Sequence, residues 1–281
     1  MESPAIRWLT RIFSWLVLII LFMPLVVIVI YAFNTSRDVS WPPHLATLHW
    51  FSVAWDDPTL RVAIVNSVVA GIFATILALI LGSLAAFGLH RFRFFGREMI
   101  SFLLVLPIAL PGIVTALALA AMVDAVPFIR FGLQAIIVGH ATFCVVVVYN
   151  NVIARLRRTA ASTIEASMDL GADPVQTFRY VTFPQLRSAL VAGGLLAFGL
   201  SFDEIVVTLY LAGNKITLPL WIYNNITRPV NLGAVYVVGS VVLLVSIIPV
   251  YIAQRLAGGE TLTPGRMGGT ALPTAGVGGV G

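Results

Sequence analysis

Charge is scarce in this sequence. Asp, Glu, Lys and Arg make up 10% of its 281 residues, whereas hydrophobic residues make up 59%. Soluble domains have about 25% charged residues, so this composition argues against a soluble protein and indicates several membrane-spanning segments. The basic residues, all arginine except Lys215, are scattered between apolar runs. This distribution argues against nucleic acid as a partner and favours membrane lipid.

Groups that carry out catalysis are also missing. The single cysteine, Cys144, lies in an apolar run and is predicted to be a packing residue. His44 and His49 lack metal-ligand spacing, and His140 is predicted to be a hydrogen-bonding residue in helix packing rather than a metal ligand. The sequence contains no Gly-x-x-x-x-Gly-Lys loop, so the chain itself is not expected to hydrolyse ATP. We expect neither an enzyme nor a metal site.

Long apolar runs predict an all-α membrane protein with six transmembrane helices. Charge-free runs of about 18 residues or more are long enough to cross a bilayer. The first is too long for a signal-peptide core and lacks a cleavage site, so it is expected to be an uncleaved anchor. Asp203 and Glu204 interrupt the fifth. The predicted spans are 12–33, 62–89, 99–123, 131–154, about 188–212 and 229–254.

The placement of basic residues predicts that both termini are cytoplasmic. With the N-terminus inside, twelve basic residues fall in cytoplasmic segments and five in outside segments, as the positive-inside rule requires. The expected organisation is an anchor helix and outside segment over 1–61 and a transmembrane core over 62–257. The Gly- and Pro-rich segment 258–281 is expected to be a disordered cytoplasmic tail.

A long cytoplasmic loop, 155–185, stands out between the fourth and fifth spans. The stretch "STIE" fits a capping box, in which Ser162 caps a helix and Glu165 returns to the cap's backbone N–H. Gly171 then stands where a helix end needs a left-handed backbone conformation. These signals predict a first short helix.

A second start signal follows at once in "DPVQ". Asp173 can cap, Pro174 suits the first helical position and Gln176 completes a second capping box. Pro184 is expected to mark the turn into the fifth span. The loop is therefore predicted to be a helix–turn–helix knob with exposed apolar residues, which implies that another protein receives it.

The stretch "EASMDLGADPVQTFRYVTFP" resembles the EAA loop of ATP-binding-cassette importer permeases, whose pattern is E-A-A-x3-G-x9-I-x-L-P. Glu165, Ala166, Gly171 and Pro184 match this pattern. Ser167, Val181 and Phe183 replace Ala, Ile and Leu. The stretch "NSVVA" resembles the Asn-Ser start of the permease region of this family. The stretches "LPIALPGIV" and "SFDEIVVTLYLAG" are similar to its polyamine-type branch, which transports spermidine or putrescine.

This resemblance implies a type I ABC importer permease fold in the bacterial inner membrane. It implies three kinds of partner: an ABC ATPase dimer, a second permease subunit and an extracytoplasmic solute-binding protein. The ATPase would use ATP and magnesium, and this chain would bind no cofactor. Glu165 would contact the ATPase, or would only complete its capping box, and both roles can coexist. The coupling-loop residues implied are Glu165, Ala166, Ser167, Gly171, Asp173, Pro174 and Pro184.

Asp203 and Glu204 are the only acidic residues that we place well within a span. Intramembrane acids usually face a bundle interior or a water-filled path, and a polycation needs carboxylates and aromatic rings along its path. Tyr149, Asn150 and Tyr210 are candidates for the remaining lining. Alternatively, the acids pair with an arginine of a partner permease, cap a broken helix, or lie hydrated near the outer surface.

The predicted function is therefore the permease subunit of an importer for polyamines such as putrescine and spermidine. The alternative substrates are aminophosphonates, opines or amino acids. An ion-coupled secondary transporter is a further alternative, but it predicts internal repeats, and none is clear. A membrane-embedded enzyme would need a polar catalytic cluster that the spans lack.

Overall fold

The chain is mainly helical in the part that its computed structural model describes, namely residues 4–36, 41–44, 47–228 and 231–258. Its first six helices are α1 (Pro4–Tyr31), α2 (His49–Asp56), α3 (Pro58–Arg91), α4 (Arg97–Ala109), α5 (Gly112–Ala125) and α6 (Leu133–Arg158). The remaining six are α7 (Ala161–Asp169), α8 (Pro174–Thr177), α9 (Phe183–Asp203), α10 (Val206–Leu211), α11 (Leu218–Thr227) and α12 (Leu232–Gly258). One π-helical turn, Phe178–Thr182, joins α8 to α9.

Most of the predicted spans are present as long helices. Four helical segments in the described residues are long and apolar enough to cross a membrane, and the bent pair α4–α5 makes a fifth if it is counted as one span. The described apolar part of α12, Leu232–Ile248, is shorter. The count of six, the cytoplasmic termini and the domain limits stay predictions. The four segments are Ile6–Tyr31, Pro58–Arg91, Leu133–Arg158 and Pro174–Asp203. The predicted disordered tail falls almost wholly outside the described residues.

The predicted third span, 99–123, is present as a bent pair of helices rather than as one straight helix. The structure breaks it at Leu110 and Pro111, where α4 and α5 meet at 107°. Pro111 has no backbone N–H to continue the helix, and its ring disfavours a helical conformation of the preceding residue. Leu110 accordingly has an extended backbone, with φ −79° and ψ 148°. The fifth span is also broken, at Glu204 and Ile205, where the two acids interrupt the apolar run.

Three long helices, α3, α6 and α9, form the centre of the structure. Small residues let α3 and α6 approach closely, as is usual between membrane helices. A Cβ atom at Gly82 of α3 would lie 2.9 Å from the carbonyl oxygen of Val145 and 3.0 Å from the Cβ of Val148. Any larger residue at Gly82 would therefore push the two helices apart.

A second, smaller apolar cluster lies where α2, α11 and α12 meet. Its centre contains Trp50 of α2 and Trp221 of α11, both buried. The indole N–H of Trp50 donates to the carbonyl of Asn34 at 2.8 Å. Neither α2 nor α11 was predicted, because short helices inside polar connecting segments have too few residues to establish a periodic pattern.

Candidate coupling surface and membrane path

The first helix of the predicted knob, α7, begins earlier than its sequence suggests. Ala160 precedes it with an extended backbone, and no side chain in the described residues caps it. The predicted capping box of Ser162 and Glu165 is wrong, because both residues already lie inside the helix. No hydrogen bond is formed by the exposed Glu165 carboxylate within the described part of the chain.

Gly171 ends α7 in the conformation that was predicted. Its φ is +88°, a value that costs side chains other than glycine free energy. Its N–H donates to the carbonyl of Met168 at 2.9 Å, and Ala172 N–H donates to Ser167 at 3.1 Å. A Cβ atom at Gly171 would meet nothing within 4 Å. The constraint on this residue is therefore conformational rather than steric.

The second capping box is confirmed. Oδ1 of Asp173 accepts from the N–H groups of Val175 and Gln176, both at 2.8 Å. The N–H of Asp173 in turn donates to Oε1 of Gln176 at 3.0 Å, and Pro174 occupies the first turn of α8. We call residues 161–177, which comprise α7 and α8, the coupling knob.

The coupling knob is joined to α9 without a turn. The segment Pro174–Asp203 runs as one helical stretch of 30 residues, about 45 Å at 1.5 Å per residue. The expectation that Pro184 marks a turn is therefore wrong: it lies in the first turn of α9. The π-helical turn Phe178–Thr182 ends just before this first turn.

Side chains also fasten the coupling knob to the membrane core. The ring of Phe178 lies 5.6 Å from Phe87 of α3, centroid to centroid. The Oγ atoms of Ser167 and Thr177 are 3.2 Å apart and join α7 to α8. Beside these contacts, Ile164 and Glu165 help to line a cavity of about 440 Å³ between the coupling knob and the end of α3.

The outer face of the coupling knob is apolar and unusually exposed. Leu170 and Val175 are 89% and 73% exposed, and Tyr180 just beyond the knob is 70% exposed. Such side chains in a loop outside the membrane indicate a surface that another protein covers. Ala166 lies exposed on the same helix.

The two acids that were predicted to lie within a span, Asp203 and Glu204, occupy different positions at the gap between α9 and α10, which we call the α9–α10 break. Asp203 ends α9 and is exposed, and the structure gives it no hydrogen bond within the described residues. Glu204 caps α10, because its Oε1 accepts from the N–H of Val207 at 2.9 Å. The alternative in which an acid caps a broken helix therefore describes Glu204.

The bend between α4 and α5 adjoins the α9–α10 break. A Cβ atom at Gly112, the first residue of α5, would lie 3.7 Å from Cγ1 of Val206, the first residue of α10. The two helix interruptions therefore lie side by side, at a place where both of these residues are exposed. Interrupted helices at membrane depth are typical of substrate sites in transporters, where irregular backbone lines a cavity.

The other candidates for the path do not gather around Asp203. Tyr149 is buried, and its hydroxyl lies 2.8 Å from Oγ of Ser101. Asn150 is exposed on α6, and Tyr210 is half-buried against the main core. Tyr149 follows His140 by nine residues on α6, about 14 Å along the axis. The structure therefore spreads these residues over the depth of the bundle.

His140 forms hydrogen bonds in helix packing, as predicted. It is buried, its Nδ1 lies 2.8 Å from Oγ of Ser201, and its Nε2 lies 2.9 Å from Oγ1 of Thr208. No group of three or more His, Cys, Asp or Glu residues suited to a metal ion occurs in the described part of the chain. Cys144 is also buried, and its thiol contacts the carbonyl of Ala197.

Two polar residues of α3 hold the segment between α10 and α11. Asn66 donates to the carbonyl of Ile216 at 2.8 Å, and Ser67 accepts from the N–H of Leu218 at 2.8 Å. Their role could not be assigned from sequence, although two adjacent polar residues inside an apolar run marked the position.

An acidic residue stabilises the start of α3 outside the membrane-spanning segment. Asp57 accepts from the N–H groups of Thr59 and Leu60, and its Oδ2 accepts from the indole N–H of Trp221 at 3.1 Å. Partial burial raises the pKa of Asp57, but these hydrogen bonds outweigh that effect and lower the pKa below its ordinary value of 3.8.

Sequence comparison finds relatives along most of the chain. The family described as "Binding-protein-dependent transport system inner membrane component" matches residues 78–258. A spermidine/putrescine transport system permease, PotC of Haemophilus influenzae, is 33% identical over 245 residues, which cover 85% of this chain and 94% of PotC. A putrescine transport system permease, PotI of Escherichia coli K12, is 34% identical over 239 residues, covering 79% of this chain and 84% of PotI.

Solved structures share the fold at lower identity. A chain of a bacterial ABC transporter involved in alginate import superposes with a TM-score of 0.66 at 17% identity, over 93% of this chain and 99% of that chain. A chain of the MetNI methionine ABC transporter in an inward-facing conformation gives a TM-score of 0.57 at 16% identity, over 76% of this chain and 98% of that chain. At these identities the likeness establishes the fold.

Proposed function

This chain belongs to the family of inner-membrane components of binding-protein-dependent transport systems, and from that premise we propose that it is the permease subunit of a polyamine importer. It is a multi-pass inner-membrane protein and a translocation subunit rather than an enzyme. The observation that carries the polyamine assignment is its identity of 33–34% to spermidine/putrescine and putrescine permeases over most of its length.

The coupling knob is the part that receives the movement of a separate ATPase. Its exposed apolar side chains suit a cleft on a partner protein, and the Glu165 carboxylate is free to make a charge-assisted contact there. Because the helix from Pro174 to Asp203 is continuous, a displacement of the knob reaches the α9–α10 break as a nearly rigid-body movement. ATP binding inside and ligand delivery outside would then bias one two-state equilibrium.

Asp203 is the residue best suited to receive a cationic substrate. Its carboxylate is exposed at the interruption between α9 and α10, and an uncompensated acid within a membrane span is costly and usually functional. A carboxylate there can replace part of the water that an ammonium group loses on entering the membrane. The carboxylate of Glu204 accepts a hydrogen bond from the start of α10. It would therefore add negative charge to the path while remaining in place.

Three partners complete the proposed importer: an ATPase dimer, a second permease and a solute-binding protein. A solved relative of the fold is a transporter "in complex with alginate pentasaccharide-bound periplasmic protein", which supports a binding protein on the outer side. Helix α1 exposes large apolar side chains on all sides from Ile6 to Met23. Membrane lipid and the second permease would cover this surface.

Uptake by the complete importer in proteoliposomes tests the proposal. Radiolabelled putrescine and spermidine, delivered by the binding protein, should accumulate in a reaction that vanadate inhibits and an uncoupler does not. Inhibition by uncoupler alone would favour an ion-coupled transporter. Accumulation of an amino acid, opine or aminophosphonate with no polyamine uptake would support an ATP-driven importer but contradict the polyamine assignment.

A further inference from the structure

His140 bridges the two sides of the α9–α10 break. Ser201 lies in the last turn of α9 and Thr208 in the first turns of α10, and the His140 ring bonds one hydroxyl with each nitrogen. All three side chains are buried, at 3% exposure or less. One side chain of α6 therefore holds both ends of the interruption.

The protons in this cluster can be assigned. Thr208 Oγ1 donates its only proton to the carbonyl of Glu204 at 2.9 Å, so towards His140 it can only accept. His140 therefore carries its proton on Nε2 and donates to Thr208. In the neutral ring Nδ1 is then the acceptor, and the hydroxyl of Ser201 donates to it. Every proton of the three side chains has a partner.

Packing next to the His140 ring also holds α10 against α6. A Cβ atom at Gly139 would lie 3.1 Å from Cγ1 of Val207 and would overlap Leu211. Glycine therefore lets α10 lie close to α6 at this level, and a larger residue would force the side chains of Leu211 and Val207 to move. The carboxylate of Glu204 is oriented by the N–H of Val207, so its position follows that of α10.

We propose that His140 is a positioning residue, which holds the α9–α10 break in one geometry and thereby sets where the carboxylates of Asp203 and Glu204 lie in the substrate path. The transport role of these carboxylates rests on the proposed function, whereas the positioning of the break does not. Removal of the ring would take away the side-chain hydrogen bonds that link α9 and α10 through α6 in the described residues, so the break would be held by packing alone and its geometry would vary more.

A thiol reporter at the break tests this proposal without a transport assay. In an importer carrying Asp203→Cys, the labelling rate by a water-soluble thiol reagent measures access to position 203. Cys144 is fully buried, and the chain without the reporter supplies the blank. His140→Leu should change this rate by about tenfold or more, the effect of losing two buried hydrogen bonds on a two-state equilibrium.

The matched control is Thr142→Val, two residues away, because the Thr142 hydroxyl bonds only its own helix, at Gly139. This variant should label at the unmodified rate. His140→Gln, whose amide can still donate to Thr208, should recover part of the effect. An unchanged rate in His140→Leu overturns the proposal. If that variant does not insert, Ser201→Ala and Thr208→Val decide in the same way.

Uptake separates this inference from the proposed function. With Asp203 intact, His140→Leu should raise the KM for polyamine uptake. Normal uptake by Asp203→Asn would show that this acid does not contact the substrate. Altered labelling in His140→Leu in the same system would still support the positioning role of His140.

Discussion

The coupling knob and the α9–α10 break are both polar interruptions of an apolar chain, but they are held together over different sequence distances. The capping box of the knob joins Asp173 to residues two and three positions away. At the break, His140 bonds residues 61 and 68 positions away. Local hydrogen bonds make the knob a self-contained unit that can move as a body, whereas the break depends on a neighbouring helix.

The largest expected effect comes from Gly171→Val, which breaks the knob from within. A β-branched residue at φ +88° costs about 1–3 kcal/mol of strain and would redirect α8. We expect uptake to fall by about tenfold to a hundredfold, with normal insertion in the membrane measured by immunoblot. Gly88→Ala is the control, since a Cβ atom there meets nothing within 4 Å and its φ is ordinary. Uptake by Gly171→Val at the control level would contradict this role.

The acids of the break should differ from each other. Asp203→Asn removes an exposed charge, and we expect it to raise the KM for polyamine uptake by about tenfold, the scale of one charged contact. Glu204→Gln keeps an oxygen that can accept from Val207, so it should change KM less. Equal effects of the two substitutions would show that charge alone matters and that the capping role of Glu204 is irrelevant to transport.

A capping box or a turn could be predicted from sequence when its hydrogen-bond partners lie within a few residues of it. The box of Asp173 and the turn at Gly171 follow from residues within four positions. The box of Ser162 failed because the chain leaving α6 starts α7 at Ala161, and that start depends on how α6 ends. The break at the acids was marked by their charge, but Ser201 and Thr208 as partners of His140 depend on packing between helices. The 107° angle at Pro111 likewise depends on packing, since proline permits a bend without setting its direction.

Glu165→Ala tests whether the carboxylate serves the knob or a partner. Because Glu165 makes no cap in the structure, its removal should leave the thermal stability of the purified permease unchanged. Stimulation of the partner ATPase by loaded binding protein should fall about fivefold, as for loss of a charge-assisted contact. Asp169→Ala, an exposed acid on the same helix, is the control and should retain stimulation. A loss of thermal stability in Glu165→Ala with normal ATPase stimulation would show that Glu165 caps the helix and does not contact the ATPase.

The smallest effect is expected at Asp57, which forms hydrogen bonds both to residues near it in sequence and to a distant residue. It caps α3 through Thr59 and Leu60 as Asp173 caps α8, and it also accepts from Trp221, 164 positions away.

Because folding lowers the pKa of Asp57, the stabilisation that Asp57 contributes is complete above the unfolded-state pKa near 3.8. It is lost as pH falls through the lower pKa of the folded state. Amide exchange of residues 59–62, corrected for intrinsic rates, should therefore accelerate by about twofold to fivefold on acidification below that value, within the range of a helix cap. Asp57→Asn keeps an accepting oxygen without the titration, so its exchange should show no such step. The same step in both proteins would show that another group causes the acid sensitivity, and its absence in both would show that the cap does not depend on the charge of Asp57.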